Sequence, residues 1–327
     1  LEALLKTNSE MLSGYGNDIH TENAKKLIKK ACNAPDSDVF FLTGGTQANK
    51  TVIATMLKPF EGVIAPKTGH ISLHEVGAIE YTGHKVIEIA GENGKLSAPK
   101  VEEYLKTFYG DENNNMMVVP GMIYVSHPTE YGTLYTKSEL SDLREVADKY
   151  DMTLFLDGAR LGYGIMSRET DLSLPDIAEL CHVFYIGGTK VGALCGEAIV
   201  FAKGYTPERF HSLTKQHGAM LAKGRLLGVQ FEALLEGGIG ILTEDHLDGH
   251  LLHPLQGIHT QIVGIRLAIE VDRLTQLRID ERRGTHHTIY GGKFGHQPIH
   301  RLGPLGSRRA GHHQEGRHSN HPLFHCS

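Results

Sequence analysis

Short apolar runs alternate with longer amphipathic stretches over the first 240 residues, the pattern of βαβ units that close on a mainly parallel sheet. Residues 39–42, 62–64, 85–89, 122–125, 153–156, 183–186 and 198–201 read as strands. Between them, residues 25–31 read as a helix with Thr21 as its N-cap, and residues 101–108 as one that Ser97 could cap. Residues 137–150 carry apolar side chains at Leu140, Leu143, Val146 and Ala147, which share one helical face.

The pattern changes after about residue 240. Thirteen of the 21 histidines lie from His246 onward, and only residues 262–279 keep a helical period. Residues 1–240 are therefore expected to form one large domain, and 241–327 an atypical His/Arg-rich C-terminal region. Three readings of that region stay open: a divergent small domain, a histidine-rich metal tail, or a frameshifted sequence in which composition and period fail together. The doublets His286-His287 and His312-His313 lack regular ligand spacing, so no metal site is expected.

With 327 residues and 40% apolar content, the chain can bury a sizeable core. A net charge of −5 gives no reason to expect nucleic acid. No apolar run approaches the roughly 20 residues that span a bilayer, and the first residues lack a signal peptide's n- and h-regions. The four cysteines fit no zinc or redox spacing and read as buried reduced thiols. The expected location is cytoplasmic.

Four segments carry candidate chemistry. In the segment 182–190 an apolar strand runs into Gly187-Gly188-Thr189 and then Lys190. Glycines permit a sharp turn there, and a lysine held over a ligand at a strand's carboxyl edge can lose its charge, as a Schiff-base lysine must. An ordinary surface lysine is the alternative. Thirty-three residues earlier, Asp157 ends a wholly apolar strand. A buried carboxylate needs a cationic partner, and the protonated ring nitrogen of pyridoxal phosphate (PLP) is one; a helix cap is the alternative. Arg160 suits a bidentate pair with a substrate carboxylate, or a structural salt bridge.

The third segment, 41–49, passes from a strand through Gly44-Gly45-Thr46 into a helix, whose free N–H groups suit a phosphate. It is neither a Walker loop nor a dinucleotide fingerprint. In the fourth, 68–75, the imidazole of His70 could stack on a pyridine ring or be purely structural.

Taken in order, Gly44-Gly45-Thr46-Gln47-Ala48-Asn49, Thr68-Gly69-His70, Asp157-Gly158-Ala159-Arg160 and Gly188-Thr189-Lys190 resemble the low-specificity threonine aldolases. These are fold-type I PLP enzymes of the β-eliminating lyase group. The likeness runs from about Leu4 to about Leu235. It implies an α/β, fold-type I PLP-transferase-like architecture with flanking helices, and a small C-terminal domain that is here degenerate or atypical. It further implies Lys190 as the Schiff-base lysine, Asp157 as the pyridinium partner, Gly45 and Thr46 at the phosphate, His70 on the ring and Arg160 on the substrate carboxylate. Lys223, in the segment 216–225, would lie near a neighbour's phosphate site, because family members assemble as homodimers or homotetramers. The segment 126–132 matches a stretch where relatives place a catalytic histidine. That position is Glu130 here, and His127 falls outside it; a carboxylate can still accept the β-hydroxyl proton. The family's initial substrate-binding segment and its second carboxylate-binding arginine have no visible counterpart.

The expected reaction is cleavage of a β-hydroxy-α-amino acid, threonine-like, to glycine and an aldehyde. Two alternatives remain: another fold-type I PLP enzyme, an aminotransferase or a β-eliminating lyase, or a degenerate PLP-fold protein that does not turn over.

Overall fold

Strands that are apolar on both faces must be covered on both faces, and the central strands of this chain are of that kind. The computed structural model describes residues 1–236. They form one seven-stranded sheet: β1 (Asp38–Leu42), β2 (Glu61–Pro66), β3 (Val86–Ile89), β4 (Val119–Ser126), β5 (Thr153–Asp157), β6 (Val183–Gly187) and β7 (Glu197–Phe201). The spatial order is β3-β2-β4-β5-β6-β7-β1. From β3 to β6 the neighbours are parallel, whereas β7 runs antiparallel to both β6 and β1. The mainly parallel sheet expected from the sequence is present, and each of the seven expected strands lies within or overlaps an observed one.

Alternate residues feed two separate cores. Leu154, Leu156, Phe184 and Ile186 pack into one, while Phe155, Val183 and Tyr185 pack into the other. This period of two follows from the pleat. On the first face lies the helix Lys137–Lys149, which buries Leu140, Leu143, Val146 and Ala147. A capping box between Thr136 and Glu139 starts it.

Two helix starts differ from expectation. The helix Ile19–Ala31 begins earlier, with Asp18 as its cap: Asp18 accepts from the Thr21 amide at 2.9 Å and the Thr21 hydroxyl at 2.8 Å. Thr21 is thus a donor inside the first turn rather than the cap. Ser97 does precede the helix Ala98–Gly110, but its side chain makes no capping hydrogen bond. Cys32 and Cys181 are buried free thiols as expected, whereas Cys195 is half-buried. The expected boundary at residue 240, the region 241–327 and Cys326 lie outside the described residues.

The topology places the chemistry. Residues after the carboxyl ends of β1, β2, β4, β5 and β6 meet at one sheet edge. Because β7 is reversed, its first residue joins them there.

Candidate active site

Asp157 is the last residue of β5 and is buried. A buried carboxylate must be hydrogen-bonded or paired. Its Oδ2 accepts from the Tyr124 hydroxyl at 2.6 Å and the Asn49 amide at 2.9 Å; its Oδ1 accepts from the Tyr185 hydroxyl at 2.5 Å and the Ala159 N–H at 3.0 Å. Burial holds both tyrosine hydroxyls well above their ordinary pKa, so they stay donors. Arg160, not Asp157, sits at the cap of the next helix, Leu161–Ile165. The capping alternative for Asp157 is thereby excluded. Gly158 is required by close approach: a Cβ there would lie 1.8 Å from the Tyr185 carbonyl oxygen.

Asn49 also ties Asp157 to the neighbouring segment. The same amide nitrogen donates to Glu75 Oε1 at 2.7 Å, and that oxygen lies 2.9 Å from His70 Nδ1. His70 is half-buried, and its hydrogen bond to Glu75 raises its pKa, helped by the charges of Asp157, Glu75 and Glu130. Its ring also lies 5.5 Å from that of His74.

Lys190 follows the turn after β6. It is exposed as a residue, yet desolvation around its amine pulls its pKa below the ordinary lysine value. Arg160 adds to this lowering, and Asp157, Glu197 and Glu130 oppose it. Its amine makes no hydrogen bond or ion pair among the described residues, while its carbonyl accepts from the Tyr163 hydroxyl. Behind the turn, buried Glu197 accepts from the Thr189 hydroxyl at 2.7 Å and from the Gly188 N–H at 3.2 Å.

Glu130 lies in the loop after β4. Its Oε1 accepts from the Ser126 hydroxyl at 2.8 Å and stands 3.8 Å from an Arg160 nitrogen. Its Oε2 is buried without a partner, and burial raises its pKa. His127, by contrast, is fully buried, and its ring makes no hydrogen bond to these residues. Its Nδ1 accepts from the Tyr135 N–H at 3.3 Å, and burial holds its pKa down at about 4.

Gly45 and Thr46 open the helix Gly45–Met56. Among the described residues the amides of Gly45, Thr46 and Gln47 have no backbone acceptor, so this helix end presents free N–H groups. A side chain at Gly45 would press on the Tyr185 hydroxyl, 3.2 Å from its Cβ. Lys223 is exposed and makes no hydrogen bond or ion pair among the described residues.

These residues suit PLP, which has an anionic phosphate, a basic ring nitrogen and an aldehyde. Free amides at Gly45 and Thr46 suit the phosphate, Asp157 the ring nitrogen and the unpaired Lys190 amine the aldehyde. Buried Asn49 Oδ1, Glu75 Oε2 and Glu130 Oε2 have no hydrogen-bond partner, as expected of polar groups lining a ligand site. Because Asp157 already accepts four hydrogen bonds, a ring nitrogen there would share an oxygen with one of these donors.

Asn49, Glu75, Tyr124, Tyr185 and Glu197 were not assigned from the sequence. The signal for the tyrosines was a hydroxyl in an otherwise apolar strand, which must find a partner once buried. For Glu197 it was a lone carboxylate opening the apolar run Ala198–Phe201.

Comparison with known proteins gives the same picture. Residues 6–276 match the family model described as β-eliminating lyase. Over 273 residues the chain is 28% identical to a low specificity L-threonine aldolase of Pseudomonas sp. (strain NCIMB 10558), covering 83% of this chain and 77% of that protein. A solved structure of Leishmania major threonine aldolase is 42% identical with a TM-score of 0.70, over 73% of this chain and 68% of that one. A Thermus thermophilus aspartate aminotransferase shares the fold alone, at 16% identity and a TM-score of 0.54, over 73% of this chain and 64% of that one. The matching region spans every strand and every site residue described above, and the chain belongs to the β-eliminating lyase family, which is PLP-dependent.

Proposed function

We propose that this chain is a PLP-dependent aldolase that cleaves a threonine-like β-hydroxy-α-amino acid to glycine and an aldehyde. The observation that carries the reading is that the charges of Arg160 and buried Asp157 act on both Lys190 and Glu130, with Glu130 3.8 Å from Arg160. The names of the Pseudomonas and Leishmania relatives support the substrate class.

In this reading Lys190 and Asp157 hold PLP with Gly45, Thr46, His70 and a neighbouring subunit's Lys223. Bound there, PLP supplies the electron sink that lets a Cα–Cβ bond break. Arg160 orients the substrate through its carboxylate. Glu130 is the base for the β-hydroxyl proton: one oxygen is fixed by Ser126 at 2.8 Å, and the other is unpartnered. Its burial raises its pKa and so its proton affinity. Asn49, Tyr124 and Tyr185 keep Asp157 in place, and Glu75 orients the imidazole of His70.

The reading includes a cytoplasmic homotetramer. The free thiols Cys32 and Cys181 suit a reducing compartment. The exposed side chains of Leu1, Leu5 and Met11 suit a subunit contact. No described helix is long and apolar enough to cross a membrane.

The test is product analysis of the full chain supplied with PLP. Threonine should give glycine and acetaldehyde, and Lys190→Ala should abolish both the turnover and the borohydride-reducible visible band. Pyruvate from serine without aldehyde from threonine would assign a β-elimination instead. A retained band in Lys190→Ala would remove the lysine from its role.

A further inference from the structure

Glu197 opens β7, and because β7 is reversed, its beginning falls where β6 and β1 end. Its backbone pairs with Gly187 on β6 and with Leu42 on β1, the residues that lead into the lysine turn and the phosphate turn. The side chain is 3% exposed. Burying a carboxylate is costly unless hydrogen bonds and a counter-charge compensate. Here both oxygens are given to the lysine turn: Oε1 to the Thr189 hydroxyl at 2.7 Å and Oε2 to the Gly188 N–H at 3.2 Å. The two residues immediately before Lys190 are thus tied to one buried group. No ion pair with Glu197 occurs among the described residues, and the cation whose charge acts on it is Lys190. A neutral amide has one acceptor oxygen and would keep only one of these two hydrogen bonds. The carboxylate accepts both and adds a charge that acts on Lys190.

We propose that Glu197 is a positioning residue for Lys190, tethering the turn that presents the lysine and supplying the counter-charge of its nitrogen. This rests on the PLP reading above. Desolvation and Arg160 disfavour a positive charge on the Lys190 nitrogen, whereas Asp157, Glu197 and Glu130 favour it. The charges of Asp157 and Lys190 act on Glu197 in turn, and its own acts on Tyr185. Burial pushes its carboxyl up to about 7, so its charge develops as pH rises through neutrality.

The test uses full-length holoenzyme and the visible band of PLP bound at Lys190, titrated with pH. Glu197→Gln keeps one acceptor oxygen, for the Thr189 hydroxyl, and loses the charge, so the titration midpoint should fall by about one unit. Glu197→Asp keeps the charge but is a methylene short of both tethers; kcat should drop about tenfold with KM little changed and the midpoint retained. Thr189 is exposed, so Thr189→Val tests the tether without endangering the fold. It should lower kcat several-fold, and Thr189→Ser should restore it. An unmoved midpoint in folded Glu197→Gln, or parental kcat in Thr189→Val, overturns the proposal. Should Glu197→Gln fail to fold, the Thr189 pair decides. If the parent itself forms no borohydride-reducible band, the PLP reading fails and this one with it. A parental band that Glu197→Gln leaves unmoved removes only the role of Glu197.

Discussion

The side-chain amide of Asn49 donates to Asp157 Oδ2 at 2.9 Å, across 108 residues of sequence. The same nitrogen donates to Glu75 at 2.7 Å, so one amide joins two buried carboxylates. Replacing it with a similar-sized apolar group leaves both short of a donor. Asn49→Leu is expected to lose about 1–3 kcal/mol. Asn49→Asp, which brings a third carboxylate to the group, should lose more at alkaline pH. Urea unfolding of the two variants checks the order, and an Asn49→Asp chain as stable as Asn49→Leu would contradict the bridging account.

Asp157→Asn keeps the side-chain volume and removes the charge proposed to face the cofactor's ring nitrogen. The rate of threonine cleavage should fall on the order of 10²–10³-fold while PLP stays bound through Lys190. Steady-state kinetics beside the visible spectrum measures both. A rate within about threefold of the parent would falsify the ring-nitrogen role of Asp157.

Acid should weaken the fold through two buried imidazoles. Burial holds His127 and His182 down at about 4, against about 6.5 for an unfolded histidine. A depressed folded value means stability that is fully present above about pH 6.5 and is lost as pH falls toward 4, by a few kcal/mol at most per histidine. Glu130 and Glu197 act oppositely: their raised values give stability that is present at low pH and lost as pH rises through them. A comparison of slopes isolates the histidine. Between pH 6.5 and 4.5 the parent should lose more unfolding free energy than His182→Gln, and parallel curves would refute the assignment.

Gly158 has no room for a methyl group. Its Cβ would meet the backbone carbonyl oxygen of Tyr185 at 1.8 Å, and backbone cannot turn aside as a side chain can. Gly158→Ala should therefore push β5 away from β6, lose on the order of 3 kcal/mol or more, and misplace Asp157. At Gly110, where a Cβ meets nothing within 4 Å, the same change should be harmless. Thermal unfolding of the two alanine variants makes the comparison, and a Gly158→Ala chain with the parent's Tm would contradict the geometry.

The sequence by itself determined what depends on near neighbours along the chain. The seven apolar runs were visible because a strand buried on both faces has to be apolar throughout. The helix 137–149 was visible because its core face repeats every three to four residues. Asp157 and Lys190 stood out because each is a charged residue at or just past the end of such a strand, where a charge must have a use. Local competition already blurred the helix starts. Asp18 and Thr21 are both cap residues three apart, and only the three-dimensional first turn shows that Asp18 accepts and Thr21 donates.

Tertiary structure alone decided the company these residues keep. Asn49, Glu75, Tyr124 and Tyr185 come from four separate segments and look unremarkable in each. They become one network because parallel strands bring their carboxyl ends to the same edge, and buried polar groups must then satisfy one another. The direction of β7 was equally hidden, since an apolar run reads the same whichever way the strand points. Its reversal carries Glu197 to the site edge, beneath the turn that ends in Lys190, and no spacing along the chain encodes that.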